Sequence, residues 1–278
     1  MTLRELLLLG KKELRQADVP DSDYDAWVLL EYALNIQKSY YFLHENDKIE
    51  KNQEDTYLSC IQKRKQRIPL QHITEQAWFM GYEFYVNSHV LTPRFDTEIL
   101  VEAVGKRLTP NMDILDVCTG SGCILLSLLA EHRDWGLKGT GTDISPDALK
   151  VAERNKRQLG LEAEFIESDL FSKVQGAYDI IVSNPPYIAT KELEALMPEV
   201  RDHEPRIALD GMEDGLHFYR EILSRAHEFL KTDGWICFEI GYDQGEALRN
   251  MLLEHGYSNV SIEKDFAGLD RIALGKKG

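Results

Sequence analysis

The sequence predicts an α/β protein in which a mostly parallel, doubly wound sheet follows a small helical domain. Three observations predict it. Apolar residues recur at helical spacing through the first 75 residues. From Met112 onward, short and nearly continuous apolar runs alternate with helical patterns, as parallel strands joined by crossover helices require. Between these regions, QAWFMGYEFYVNSHVLT (76–92) places aromatic and β-branched residues around Gly81, the pattern of a β-hairpin.

In the helical region, Leu3, Leu6, Leu7 and Leu14 share one face. The opening MTLRELLLLGKKELRQ has Glu5 inside its apolar run and no small-residue cleavage site, so it reads as an amphipathic helix and not a signal peptide. Asp21, Ser22 and Asp23 offer caps ahead of Ala26, Leu29, Leu30 and Leu34. The segment from Glu50 to Arg67 is charged and periodic, and Pro69 ends it. Its basic run, Lys63, Arg64, Lys65 and Arg67, is expected to be a solvated face, with a partner contact as the alternative. Helical signals resume from Asp96 to Leu108. The expected parallel strands are DILDV (113–117), GTGTD (139–143), AEFIES (163–168), DIIVSN (179–184) and WICFEI (235–240). VSIEKDF and DRIALGK suggest a terminal antiparallel hairpin. The chain is thus expected to divide into a helical domain (1–75), a hairpin linker (76–92) and an α/β domain (93–278).

Composition narrows the function classes. The chain has 278 residues, of which 43% are hydrophobic, enough for a packed core. No stretch approaches the ~20 apolar residues that span a bilayer. Net charge is −15, and residues 76–278 hold 21 basic and 34 acidic residues. Such a field disfavours stable nucleic acid binding and attracts a basic protein partner. Cys60, Cys118, Cys123 and Cys237 form no CxxC pair and have no spaced histidines, so reduced cytoplasmic thiols are expected and no metal site.

DILDVCTGSGCILLSLLAE joins the first of these strands to a helix through Gly120 and Gly122, where the backbone can turn tightly and approach a ligand. Asp116 precedes this loop. Asp143 ends the next strand, 21 residues beyond Gly122, where doubly wound folds place an acid on ribose hydroxyls. Asp169 ends the third, with Leu170 beside it as an apolar flank for a base. A dinucleotide oxidoreductase is the competing reading. Leu125 stands where its third glycine belongs, and no second nucleotide half follows, so S-adenosylmethionine fits better than NAD.

The fourth strand ends in Asn184-Pro185-Pro186-Tyr187. Neither proline can donate to a ladder, so the strand stops and a stiff loop begins. First and fourth strands lie side by side in such sheets, which puts this loop across the crevice from the glycine loop. The Asn184 side-chain oxygen and the Pro185 carbonyl are two acceptors on a rigid frame, suited to both hydrogens of one planar –NH2 group. Tyr187 can stack on that plane. A nitrogen of this kind is a poor nucleophile, and holding it in line with an electrophilic methyl group supplies the acceleration. Three alternatives stand beside protein amide methylation: adenine-N6 methylation of nucleic acid, a non-catalytic cofactor-binding scaffold, and a dehydrogenase.

With DVCTGSG and SNPPY together, the sequence resembles the class I, Rossmann-like methyltransferases that act on planar nitrogens. Within them it closely resembles the HemK/PrmC family of release factor glutamine methyltransferases. RIPLQHITEQAWFMGYEFYVNSHVLTPRFDTEILVE, PEVRDHEPRIALDGMEDGLHFYREIL, FEIGYDQGEAL and DFAGLDRIALG extend the likeness over most of the chain. The resemblance implies a seven-stranded, mostly parallel sheet and N5-methylation of the Gly-Gly-Gln glutamine of class 1 peptide-chain release factors. It implies S-adenosyl-L-methionine as donor and S-adenosyl-L-homocysteine as product. Carried over, it puts Thr119, Gly120, Ser121 and Gly122 at the methionine end of the cofactor, Asp143 on the ribose, and Asp169 and Leu170 at the adenine. Asn184 would touch cofactor and substrate, and Pro185, Pro186 and Tyr187 would frame the substrate amide, with Asn184, Pro185 and Tyr187 as the catalytic set. Cys118 stands where many methyltransferases have a first glycine. Phe95 and Asp96 replace the more usual residues of Pro-Arg-Pro-Glu-Thr-Glu. Glu204 and Arg206 either line the pocket or form a structural salt bridge.

Overall fold

A computed structural model describes residues 1–278, which form two compact units. The first comprises Met1–Gln76 together with Met197–His203. Its helices are α1 (Leu3–Gln16), α2 (Ser22–Leu34), α3 (Lys38–His44), α4 (Lys51–Lys65) and α5 (Leu70–Thr74). α1 starts in a capping box, in which the Thr2 hydroxyl accepts from the Glu5 N–H and Glu5 accepts from the Thr2 N–H. Leu6, Leu14, Leu29, Leu30, Tyr57 and Ile61 fill the core. Gly10 lets α1 approach α4, because a Cβ there would collide with the Tyr57 ring.

The basic run departs from the expected solvated face. Arg64 is only 6% exposed; its Nε donates to Asp25 Oδ2 at 2.7 Å and its Nη2 to Glu199 Oε1 at 2.8 Å. Arg67 donates to both oxygens of Glu199, each at 2.7 Å, and Lys65 pairs with Glu13 at 2.5 Å. Lys63 alone of the four is exposed and makes no such pair. The pattern of charge did not show that acids from α2 and from residue 199 meet the run inside the bundle.

The second unit, Ala77–Leu196 and Glu204–Gly278, carries the sheet. Its elements are the hairpin strands β1 (Gln76–Phe79) and β2 (Tyr82–Tyr85), then α6 (Phe95–Gly105), β3 (Asp113–Val117), α7 (Cys123–Glu131), β4 (Lys138–Asp143), α8 (Pro146–Leu159), β5 (Glu164–Glu167) and β6 (Tyr178–Ser183). α9 (His217–Phe229), β7 (Leu230–Glu239), α10 (Gly245–Glu254), β8 (Tyr257–Lys264) and β9 (Asp270–Lys277) follow. The seven-stranded sheet has the order β5-β4-β3-β6-β7-β9-β8, parallel except for β9. Successive residues serve opposite faces, as strand geometry demands: Ile180 and Val182 pack with α6 and α7, while Ile181 packs with α9 and α10. β7 begins before the expected Trp235, at Leu230, and a bulge separates the two stretches that pair with β6. No helix is long and apolar enough to cross a membrane.

The strand order positions the site. β3 pairs with β6 in parallel, Val117 opposite Ser183, and the order of the strands reverses there. The Ser183 hydroxyl donates to the Val117 carbonyl at 2.6 Å, fastening the two carboxyl ends together. A crevice opens beyond them.

Candidate active site

The glycine loop leaves β3 through Cys118, whose φ of +62° lies in the left-handed region that favours glycine. A cysteine there costs about 1–2 kcal/mol. Gly120 and Gly122 also have positive φ, +56° and +78°. A Cβ on Gly120 would meet nothing within 4 Å, so this backbone faces open space. A Cβ on Gly122 would press on Leu126, Phe165 and Ala152 at 3.1–3.3 Å, so that glycine serves packing at the start of α7. Gly141 in β4 makes room for the loop, because its Cβ would lie 2.9 Å from Thr119 Oγ1.

Two acids hold the loop. The Thr119 hydroxyl donates to Asp116 Oδ2 at 2.6 Å. Burial pushes the Asp116 carboxyl up to about 7, only partly offset by Thr119. Asp143 accepts from the Gly120 N–H and the Ser145 N–H, both at 2.9 Å. Burial raises its pKa, and those two N–H groups pull it back down. Asn155 of α8 donates to the Ser121 carbonyl at 2.9 Å and makes a two-way pair with the Tyr85 backbone. It thereby ties β2 to the loop.

The Asn-Pro-Pro-Tyr loop is clamped from behind. Ile188 bridges in parallel to Asp210, and its carbonyl accepts from the Gly211 N–H at 2.8 Å. A Cβ on Gly211 would sit 2.8 Å from the Tyr187 backbone. The Gln244 amide donates to the Tyr187 carbonyl at 3.0 Å and to the Gly215 carbonyl at 3.2 Å. The Tyr187 hydroxyl donates to Glu239 Oε1 at 3.2 Å, and burial raises its pKa further. Asn184 directs its amide nitrogen to Thr97 Oγ1 at 3.5 Å.

One cavity of about 380 Å³ joins the two loops, a volume within the range of small-molecule sites. Of the expected site residues, Thr119, Gly120, Ser121, Asp143, Asp169, Leu170, Asn184 and Pro186 line it. Gly122, Pro185 and Tyr187 do not. Sequence reasoning missed Ile144, which is half exposed in the wall beside Asp143, and Thr97 and Phe218. An apolar residue directly after a strand-ending acid was the signal for Ile144. Glu204 is a salt-bridge residue: it pairs with Arg94 at 2.5 Å and accepts from the Thr92 N–H at 3.3 Å. Arg206 pairs with Asp210 at 3.3 Å, outside the cavity wall. Asp96 lies 3.4 Å from Arg271, and Phe95 is exposed.

The donor set fits S-adenosylmethionine. Asp143 offers carboxylate oxygens to vicinal hydroxyls, Ile144 and Leu170 offer apolar flanks to a base, and the Gly120 backbone lies open to the cavity.

Fold and cavity together define a methyltransferase of the mostly parallel, seven-stranded type. The chain superposes on the T. thermophilus 16S rRNA N2 methyltransferase solved with AdoMet and guanosine, with a TM-score of 0.52, 18% identity, and coverage of 73% of this chain and 50% of that one. That likeness shows the fold. Residues 5–74 match the PrmC N-terminal domain and residues 93–200 the methyltransferase small domain. A Clostridium acetobutylicum release factor glutamine methyltransferase is 39% identical over 285 residues, covering 100% of this chain and 99% of the relative. A Geobacter sulfurreducens release factor glutamine methyltransferase is 35% identical, covering 100% and 97%. The chain belongs to the release factor glutamine methyltransferase family.

Proposed function

We propose that the protein transfers a methyl group from S-adenosyl-L-methionine to the side-chain amide nitrogen, N5, of the Gly-Gly-Gln glutamine of class 1 release factors, in the cytoplasm. The observation that carries the reading is Asn184: it stands in the wall of the cavity that Gly120 and Asp143 also line, on a loop braced by Gly211, Gly215 and Gln244. The cofactor supplies an electrophilic methyl on a sulfonium and leaves as S-adenosyl-L-homocysteine. Thr119, Gly120 and Ser121 hold its methionine end, with Gly122 turning the loop into α7 beside them, Asp143 holds its ribose, and Asp169 and Leu170 its adenine.

The chain's own residues do the rest. The Asn184 side-chain oxygen and the Pro185 carbonyl accept the two hydrogens of the substrate amide and hold its nitrogen in place. Pro186 and Tyr187 frame that amide. The N–CH3 bond forms as the S–CH3 bond breaks, and the nitrogen then gives its extra proton to water. No general base is needed, because positioning supplies the acceleration. The helices of residues 1–75 serve substrate recognition, and residues 76–92 link them to the α/β domain. The acidic balance of residues 76–278 favours a protein substrate over nucleic acid.

The test is transfer of labelled methyl to a purified class 1 release factor, followed by peptide mapping. Label on the Gly-Gly-Gln glutamine, absent with Asn184→Ala, is expected. Label on DNA or RNA instead would overturn the substrate assignment.

A further inference from the structure

Arg94, the N-cap residue of α6, is a cation in the cavity wall that none of the contacts assigned so far uses. It is the one lysine or arginine among the lining residues, and 40% of its side chain is exposed. Its Nη2 donates to Glu204 Oε2 at 2.5 Å. The Glu204 side chain is only 1% exposed, and its other oxygen accepts from the Thr92 N–H at 3.3 Å. The acid is therefore fixed behind the wall and anchors the guanidinium from that side. A guanidinium has five N–H donors in one rigid plane, and a single carboxylate does not exhaust them. An arginine held in this way loses little freedom when it takes a second anion.

The order of the strands says which anion that is. Along the carboxyl ends of β5, β4, β3 and β6 stand, in turn, Asp169, Asp143, the glycine loop and Asn184. The adenine, the ribose and the methionine end of S-adenosylmethionine follow the same sequence. Arg94 belongs to the last of these positions. Its carbonyl accepts from the Thr97 N–H at 3.1 Å, and the Thr97 hydroxyl lies 3.5 Å from the Asn184 amide nitrogen. The methionine end carries an ammonium and a carboxylate, and that carboxylate is the only anionic group of the cofactor. We infer that Arg94 binds this carboxylate. The inference rests on the S-adenosylmethionine reading of the cavity. Hydrogen bonds from arginine to a carboxylate are about twice as strong as neutral ones, so the contact separates ligands that have the carboxylate from ligands that lack it.

Calorimetry on the whole chain tests this with two ligands. S-adenosyl-L-homocysteine keeps the carboxylate. Its decarboxylated analogue keeps the adenosine, the sulfur and the amine, and lacks the carboxylate alone. Wild type is expected to bind S-adenosyl-L-homocysteine roughly 10- to 150-fold more tightly than the analogue. R94M is expected to lose most of that preference by binding S-adenosyl-L-homocysteine more weakly, with its Kd for the analogue little changed. Equal binding of the two ligands by wild type overturns the assignment. So does an R94M chain that keeps the wild-type preference, or one whose only defect is a raised KM for the release factor. If R94M does not fold, R94Q decides, because its amide can still donate to Glu204 while carrying no charge. The same loss of preference is expected there, and a full wild-type preference overturns the assignment. Failure of the wild-type chain to bind S-adenosyl-L-homocysteine at all would instead overturn the cofactor reading on which the assignment stands.

Discussion

Replacing Asp116 by asparagine should change how stability depends on pH. Asp116 is fully buried at the carboxyl end of β3, and its pKa is pushed up to about 7. In the unfolded chain the same carboxyl titrates near its ordinary value of ~3.9. The folded state therefore holds the proton more tightly. The stability contributed by Asp116 is fully present below pH ~4 and is lost as the pH rises through about 7. At ~1.36 kcal/mol per pH unit, that interval amounts to about 4 kcal/mol. The asparagine side chain of the variant stays neutral at every pH and keeps an oxygen for the Thr119 hydroxyl, so this loss disappears. The assay is urea unfolding of wild type and Asp116→Asn at steps from pH 4 to pH 8, following the transition of the α/β unit. Wild type is expected to lose about 4 kcal/mol relative to the variant across that window. An offset that is the same at every pH reports only the altered hydrogen bonding. Parallel stability curves would refute the claim that burial of this acid under the glycine loop dominates its titration.

Two further substitutions address the site. Asp143→Ala removes a charged acceptor from the Gly120 and Ser145 N–H groups as well as from the ribose. Charge-assisted bonds are worth about 1.5–3 kcal/mol, so S-adenosylmethionine should bind roughly 10- to 150-fold more weakly by calorimetry. An unchanged Kd would remove Asp143 from the ribose site. Gly211→Ala puts a Cβ 2.8 Å from the backbone of Tyr187 and of Gly215, neither of which is a flexible side chain. Overpacking of about 1–3 kcal/mol should lower Tm and should slow methyl transfer more than it weakens cofactor binding. A variant with wild-type Tm and kcat would show that the clamp behind Tyr187 is not tight.

What could be read from the sequence was local. DILDV and DIIVSN showed their strands by composition, and the rule that first and fourth strands adjoin placed Gly120 opposite Asn184 before any contact was known. The seven-stranded sheet, with its antiparallel end, followed from the same alternation and from the resemblance. What stayed hidden depends on contacts between distant segments. Thr97 and Asn184 meet only because α6 and the end of β6 flank the same crevice. Gly211 and Gly215 look like loop glycines until the Tyr187 backbone is seen against them. Asn155 is one polar residue on an amphipathic helix, yet it braces the glycine loop. Arg64 carries no local mark of burial, because its acids come from α2 and from residue 199. Cys118, at the position where many methyltransferases have a glycine, takes a φ of +62° that glycine favours.

The most direct measurement is methyl transfer from labelled S-adenosylmethionine to a class 1 release factor, by the wild-type chain and by Asn184→Ala. It is run with an intact Gly-Gly-Gln and with that glutamine replaced, and calorimetry checks that both enzymes bind the cofactor. Label is expected on the intact factor with the wild-type enzyme only. Equal turnover by Asn184→Ala, or label that survives replacement of the glutamine, would contradict the proposed mechanism.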